Sequence, residues 1–207
     1  MHDREGEVML SQLSIHTIVF ILSALLPAVH PASEIKQQLG EITIEGASAF
    51  SQRELFDIAR IKPKQNIKPQ TLESIEPQIK NSYLERGFIK VKVSVSQEIS
   101  AQQGSGSTEI INLKITIDEG PRFFIRRTEV MGNATTNHMV IMRAAGLWPD
   151  RPYNPNRIDK WIEGLNRLGR FEPVKRESIK VEVNEQEHFV DVLFQLQEKP
   201  GLKIRRH

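Results

Sequence analysis

The chain has 207 residues, 39% of them hydrophobic and 26% charged, which is enough apolar side chain for one or two small cores. Lys and Arg number 28 against 26 Asp and Glu, so a net charge of +2 gives no electrostatic case for a nucleic-acid partner. The absence of cysteine excludes disulfides, thiolate nucleophiles and cysteine zinc sites, and the six histidines, at positions 2, 16, 30, 138, 188 and 207, lack metal-ligand spacing.

Residues 10–33 contain no Asp, Glu, Lys or Arg, and their centre, residues 15–26, is strongly apolar. About a dozen apolar residues, followed by Pro27 and the small-residue stretch Ala28-Val29-His30-Pro31-Ala32-Ser33, fit a signal peptide or, uncleaved, a membrane anchor. Residues 1–33 are therefore expected to direct export. The flank Asp3-Arg4-Glu5-Gly6-Glu7 gives no positive orientation signal for an anchor.

The rest of the chain aligns with itself. Ile44-Glu45-Gly46-Ala47 matches Val130-Met131-Gly132-Asn133 at an offset of 86, and Leu84-Glu85-Arg86-Gly87-Phe88 matches Asn166-Arg167-Leu168-Gly169-Arg170-Phe171 with the glycines 82 apart. Glu119-Gly120-Pro121 matches Glu198-Lys199-Pro200 at an offset of 79. Shortening by about one helical turn and then in the polar run 102–108 leaves the buried faces in phase.

Each copy reads strand, helix, helix, strand, strand. In the first, Ile42 and Ile44 alternate with polar residues into Gly46, and Ser51 with Glu54 makes a capping-box pattern before Leu55, Phe56, Ile58 and Ala59. A helix from Pro69 carries Leu72, Ile75, Ile79, Tyr83 and Leu84 and closes at Gly87. The period then becomes two: Ile89, Val91, Val93 and Val95 alternate with Lys90, Lys92, Ser94 and Ser96, and Ile111, Leu113, Ile115 and Ile117 form a second run. The second copy has Val130 in its first strand, a helix around 138–145, and Asn154 capping a helix from Pro155 that carries Ile158, Trp161, Ile162, Leu165 and Leu168. Ile179, Val181 and Val183 then face Val190, Val192, Phe194 and Leu196.

These elements imply an α+β fold of two tandem β-α-α-β-β units, each a three-stranded mixed sheet with two helices on one face. The third strand lies parallel to the first and antiparallel to the second, which leaves the second strand at an edge. The expected domains are 39–120 and 121–200, and residues 201–207 resemble the opening of a third unit, since Ile-Arg-Arg recurs at 125–127 and 204–206. Gly46, Gly87, Gly132 and Gly169 read as turn or cap glycines needing positive φ.

The order of these elements, the apolar-x-apolar-x-Gly ending of the first strand, the glycine and phenylalanine closing the second helix, and the Glu-Gly-Pro joint resemble POTRA domains, the polypeptide-transport-associated modules of outer-membrane assembly and two-partner secretion proteins. The resemblance implies a periplasmic position before an outer-membrane barrel that this sequence does not contain. It also implies unfolded outer-membrane or secreted polypeptides, or accessory envelope proteins, as partners, held at the sheet edge. The alternative is a membrane-anchored scaffold for envelope or division partners.

The edge formed by Ile89 to Ser96 is the expected binding strand, because an extended peptide can add to its free N–H and C=O groups. Lys90 and Lys92 beside it favour acidic segments, although edge lysines equally protect a strand against aggregation. A weaker second edge is expected at 177–183, where Lys175-Arg176-Glu177-Ser178 suggests a bulge. Trp148 and Trp161 read as core or inter-unit residues. No phosphate loop is present, and no nucleophile, base or carboxylate pair remains after capping and joints are assigned, so no cofactor, metal or enzymatic activity is expected.

Overall fold

The computed structural model of the chain describes residues 36–103 and 108–200. The expected leader, residues 104–107 of the polar run and the expected third unit lie outside these residues.

The first repeat comprises β1 (Lys36–Glu45), α1 (Gln52–Ala59), β2 (Asn66–Ile67), α2 (Pro69–Glu85), β3 (Lys92–Gln103) and β4 (Thr108–Asp118). The second comprises β5 (Phe124–Met131), α3 (His138–Ala145), α4 (Ile158–Arg167), β6 (Ile179–Asn184) and β7 (Phe189–Gln195). Helices α1 and α3 begin where the sequence supplies side-chain partners for their first N–H groups, and α2 begins at Pro69, which has no N–H to satisfy. Ser51 and Glu54 close a reciprocal capping box on α1, and Asn137 accepts from the Met139 N–H at 2.8 Å at the start of α3. Asn154 accepts from the Asn156 N–H at 2.9 Å and starts a 3-10 turn, Pro155–Arg157, that leads into α4.

Sheet order is β2-β1-β4-β3 in the first repeat and β5-β7-β6 in the second. The central strand of each sheet, β4 or β7, is parallel to the repeat's first strand and antiparallel to its hairpin partner. The alternating apolar residues read from the sequence face the helices: Val93, Ile111, Leu113, Ile115 and Ile117 join Leu55, Ile75, Ile79 and Tyr83 in one core. Val190, Val192, Phe194 and Leu196 join Ile141, Trp161 and Leu165 in the other. The first sheet has a strand beyond the three expected, since β2, from the loop between helices, pairs antiparallel with β1 and buries Ile67. The opposite sheet faces carry ion pairs, Lys114 with Glu45 at 2.9 Å and Arg126 with Asp191 at 2.7 Å.

A carboxylate latch closes each repeat. Glu119, just after β4, accepts from the N–H groups of Ser48 and Ala49 at 2.7 and 2.8 Å, from the Tyr83 hydroxyl at 2.8 Å and from the Ser48 hydroxyl. Glu198, just after β7, accepts from the Thr135 N–H and hydroxyl, both at 2.7 Å, and from the buried Thr136 hydroxyl at 2.5 Å. Each latch ties the end of the repeat to the loop that follows its first strand. The preceding glycine makes this approach possible: at Gly132 (φ 84°) a Cβ would stand 1.8 Å from the Leu196 carbonyl oxygen. Desolvation pushes Glu119 up, but the Ala49 and Ser48 donors prevail and lower its pKa, while the Thr136 and Thr135 donors bring Glu198 down to about 2.

Trp161 is buried, as a core residue should be, whereas Trp148 is 37% exposed and outside the second core. Its position after the Gly146 cap of α3 leaves it on the surface, which corrects the core reading of Trp148.

Candidate polypeptide-binding edge

Among the described residues β3 pairs only with β4, so its other side is a sheet edge twelve residues long. Lys92 stands opposite Asp118 and Gln103 opposite Thr108, with one register shift between Ile99 and Ala101. Natural edges are blunted by charge, proline, bulges or shortness. Residues 93–97, Val-Ser-Val-Ser-Gln, carry none of these devices ahead of that shift. Side chains alternate along them: Val93 is buried and Val95 half-buried on the helix side, whereas Ser94 and Ser96 are exposed on the other. Farther out, Ile99 is 63% exposed.

The structure divides the expected edge, Ile89 to Ser96, in two. Lys92, Val93, Ser94, Val95 and Ser96 lie in β3, but Ile89, Lys90 and Val91 precede it. The Ile89 and Val91 N–H groups are taken by the Gly87 and Phe88 carbonyls at 3.1 and 3.2 Å. Ile89 packs against the second core, and the Lys90 ammonium lies 2.7 Å from Glu185 of the β6–β7 turn. Lys90 therefore does not flank the edge, which corrects the expected two-lysine attraction for acidic segments. Only Lys92 remains there, 3.7 Å from Asp118. The strand also runs seven residues beyond Ser96, a stretch whose polar composition hid it from periodicity.

The end of α2 and the turn that leads to β3 are bonded to the second repeat. The Phe123 N–H donates to the Gly87 carbonyl at 2.8 Å, the Arg122 guanidinium donates to the Arg86 carbonyl at 2.6 Å, and Asn156 donates to Asn81 at 3.2 Å. Gly87 (φ 91°) sits at this joint, where a Cβ would lie 2.5 Å from the Phe123 carbonyl oxygen and 3.1 Å from Pro152. The other three glycines singled out in the sequence also have positive φ, 82° at Gly46, 84° at Gly132 and 66° at Gly169.

The second edge is β6, paired only with β7 among the described residues. It spans Ile179–Asn184 and is entered by a 3-10 turn at Arg176–Ser178. That turn replaces the expected bulge, and its Arg176 lies 3.7 Å from Asp159 at the start of α4. Along β6 Val181 is half-buried and Val183 is 42% exposed.

Against known proteins, the family model POTRA, described as "Surface antigen variable number repeat", matches residues 38–120 and again 123–199. The outer membrane protein assembly factor BamA of Neisseria meningitidis serogroup B is 21% identical over 141 residues, which is 68% of this chain and 17% of that protein. Among solved structures, BamA from Haemophilus ducreyi lacking POTRA domains 1–3 superposes with a TM-score of 0.57 at 21% identity, covering 78% of this chain and 29% of that one. Haemophilus influenzae BamA POTRA3-5 gives 0.51 at 20% identity, covering 78% and 61%. The chain thus spans about a sixth of the curated relative's length, and the structural likeness is one of fold. Two matches of the family model, one on each β-α-α-β-β repeat, establish that the chain belongs to the POTRA family.

Proposed function

We propose that this chain is a periplasmic module of an outer-membrane protein assembly or secretion apparatus, which receives unfolded polypeptide by strand addition at β3 and catalyses no reaction itself. The observation that carries the reading is the free edge of β3, with an uncharged segment at 93–97 and no proline. Its backbone groups offer sequence-tolerant hydrogen bonds, and the half-buried Val95 and exposed Ile99 offer places for alternate side chains of a guest strand. Family membership and the likeness to outer membrane protein assembly factor BamA support the setting. With Lys90 engaged by Glu185, selection is by extended form and alternating apolarity rather than by acidity.

The test is the affinity of a fluorescently labelled unfolded segment of an outer-membrane β-barrel protein, compared with the same segment N-methylated at alternate residues. Loss of two or three backbone hydrogen bonds, at about 1 kcal/mol each, weakens binding by roughly thirtyfold or more. Equal affinity for the two peptides sinks strand addition.

A further inference from the structure

We infer that β6 and β3 form one continuous track, so that a single extended segment of about 24 residues engages both repeats at once; this rests on the strand-addition reading of β3. The strand ends at the joint are in the right order for one guest: β3 begins there, with Lys92 opposite Asp118 at the end of β4, and β6 ends there, with Asn184 opposite Phe189, which in turn stands opposite Phe124 at the start of β5. They also meet end to end. The β6–β7 turn begins at Glu185, directly after β6 ends at Asn184, and Glu185 grips Lys90, two residues before β3 begins. The β6–β7 turn and the residues leading into β3 are thus in contact, and the Gly87–Phe123 hydrogen bond joins the repeats close by.

The edges share a chemistry. Odd-numbered positions on the helix side of each are apolar but for Gln97: Val181 half-buried and Val183 exposed on β6, then Val93 buried, Val95 half-buried and Ile99 exposed on β3. Even-numbered positions are polar: Lys180, Glu182 and Asn184, then Lys92, Ser94, Ser96 and Glu98. The matching guest is an extended polypeptide with an apolar residue at every second position, whose apolar side covers the exposed Val183 and Ile99. At about 3.3 Å per residue, twelve residues of β3 and six of β6 give roughly 60 Å of edge, with the joint between.

The probe is a synthetic 24-residue peptide alternating valine with serine or threonine, set against its 12-residue half, with the full chain as receptor. Joining two binding segments makes the second encounter intramolecular, so the 24-mer binds at least about tenfold tighter than the 12-mer. Val183→Asp, at an exposed position of β6, removes most of that gain, so that the 24-mer binds the variant hardly tighter than the 12-mer does; intrinsic fluorescence of Trp161 in the second core verifies folding. A nitroxide on one end of the 24-mer broadens amides of β6 only, and on the other end amides near Ile99 only. Protection of β3 alone, with equal affinity for both peptides, overturns the track and leaves strand addition standing. A nitroxide at one end that broadens both edges overturns it too, since separate peptides then occupy them. Protection of neither edge overturns both readings.

Discussion

Replacing Glu119 by alanine removes the acceptor for two backbone N–H groups, the Ser48 hydroxyl and the Tyr83 hydroxyl at once. Ser48 is exposed and can turn to water, so its share of the loss is small. Tyr83 is different. Its residue is 0% exposed, wedged between Phe50 and Phe88 in edge-on contacts, and its hydroxyl has Glu119 as acceptor. A hydrogen bond to a charged acceptor contributes about 1.5–3 kcal/mol, and a buried hydroxyl left alone costs about 1–3 kcal/mol. Glu119→Ala is accordingly expected to destabilise the first repeat by about 3 kcal/mol, and Glu119→Gln, which keeps one acceptor oxygen, by about 1–2 kcal/mol. Tyr83→Phe combined with Glu119→Gln should cost about 1 kcal/mol less than the two added separately, because both remove the same bond. Urea unfolding separates the repeats, since both tryptophans, Trp148 and Trp161, belong to the second. Far-ultraviolet circular dichroism should show an early transition absent from the fluorescence trace. A change below about 0.5 kcal/mol in the alanine variant refutes the latch as a source of stability.

Acid should act through the second latch. Glu198 is lowered from an ordinary 4.5 to about 2, so its contribution is complete above pH 4.5 and is lost as pH falls through about 2; the stability difference between wild type and Glu198→Gln should shrink over that window, and a constant difference would contradict the assignment. Gly87→Ala forces a positive φ on alanine and a Cβ against the Phe123 carbonyl, so a loss of at least about 2 kcal/mol is expected. That loss should appear in both spectroscopic traces because it falls at the joint. Leu165→Ala empties a site that is 0% exposed between α4 and the second sheet, with an expected loss of about 3 kcal/mol in the tryptophan-detected transition.

The repeats and their α+β build are readable from the chain because each element buries one face and leaves its period behind. The 3.6-residue spacing of Leu72, Ile75, Ile79 and Tyr83 and the two-residue spacing of Ile111 to Ile117 correspond to buried residues in α2 and β4. The outer half of β3 has no such signal. Beyond Val95 its helix-side residues, Gln97 and Ile99, are exposed, and a strand with no buried face has no need to alternate in composition. Lys90 was misread for another reason: its partner Glu185 is 95 positions away, and only the fold brings the β6–β7 turn to it. Glu119 and Glu198 stand out in the sequence as a repeated joint, but their partners, Ser48 and Ala49 in one case and Thr135 and Thr136 in the other, share too little to announce a latch.

The most direct measurement of the central claim is amide hydrogen exchange and cross-strand nuclear Overhauser contacts on the isotope-labelled chain with an unfolded β-barrel segment bound. Strand addition predicts new protection on alternate amides of residues 93–99, where free edge groups become paired, with close α-proton contacts between β3 and the guest. Protection confined to α1 and α2, or unchanged exchange along β3 at saturation, contradicts it.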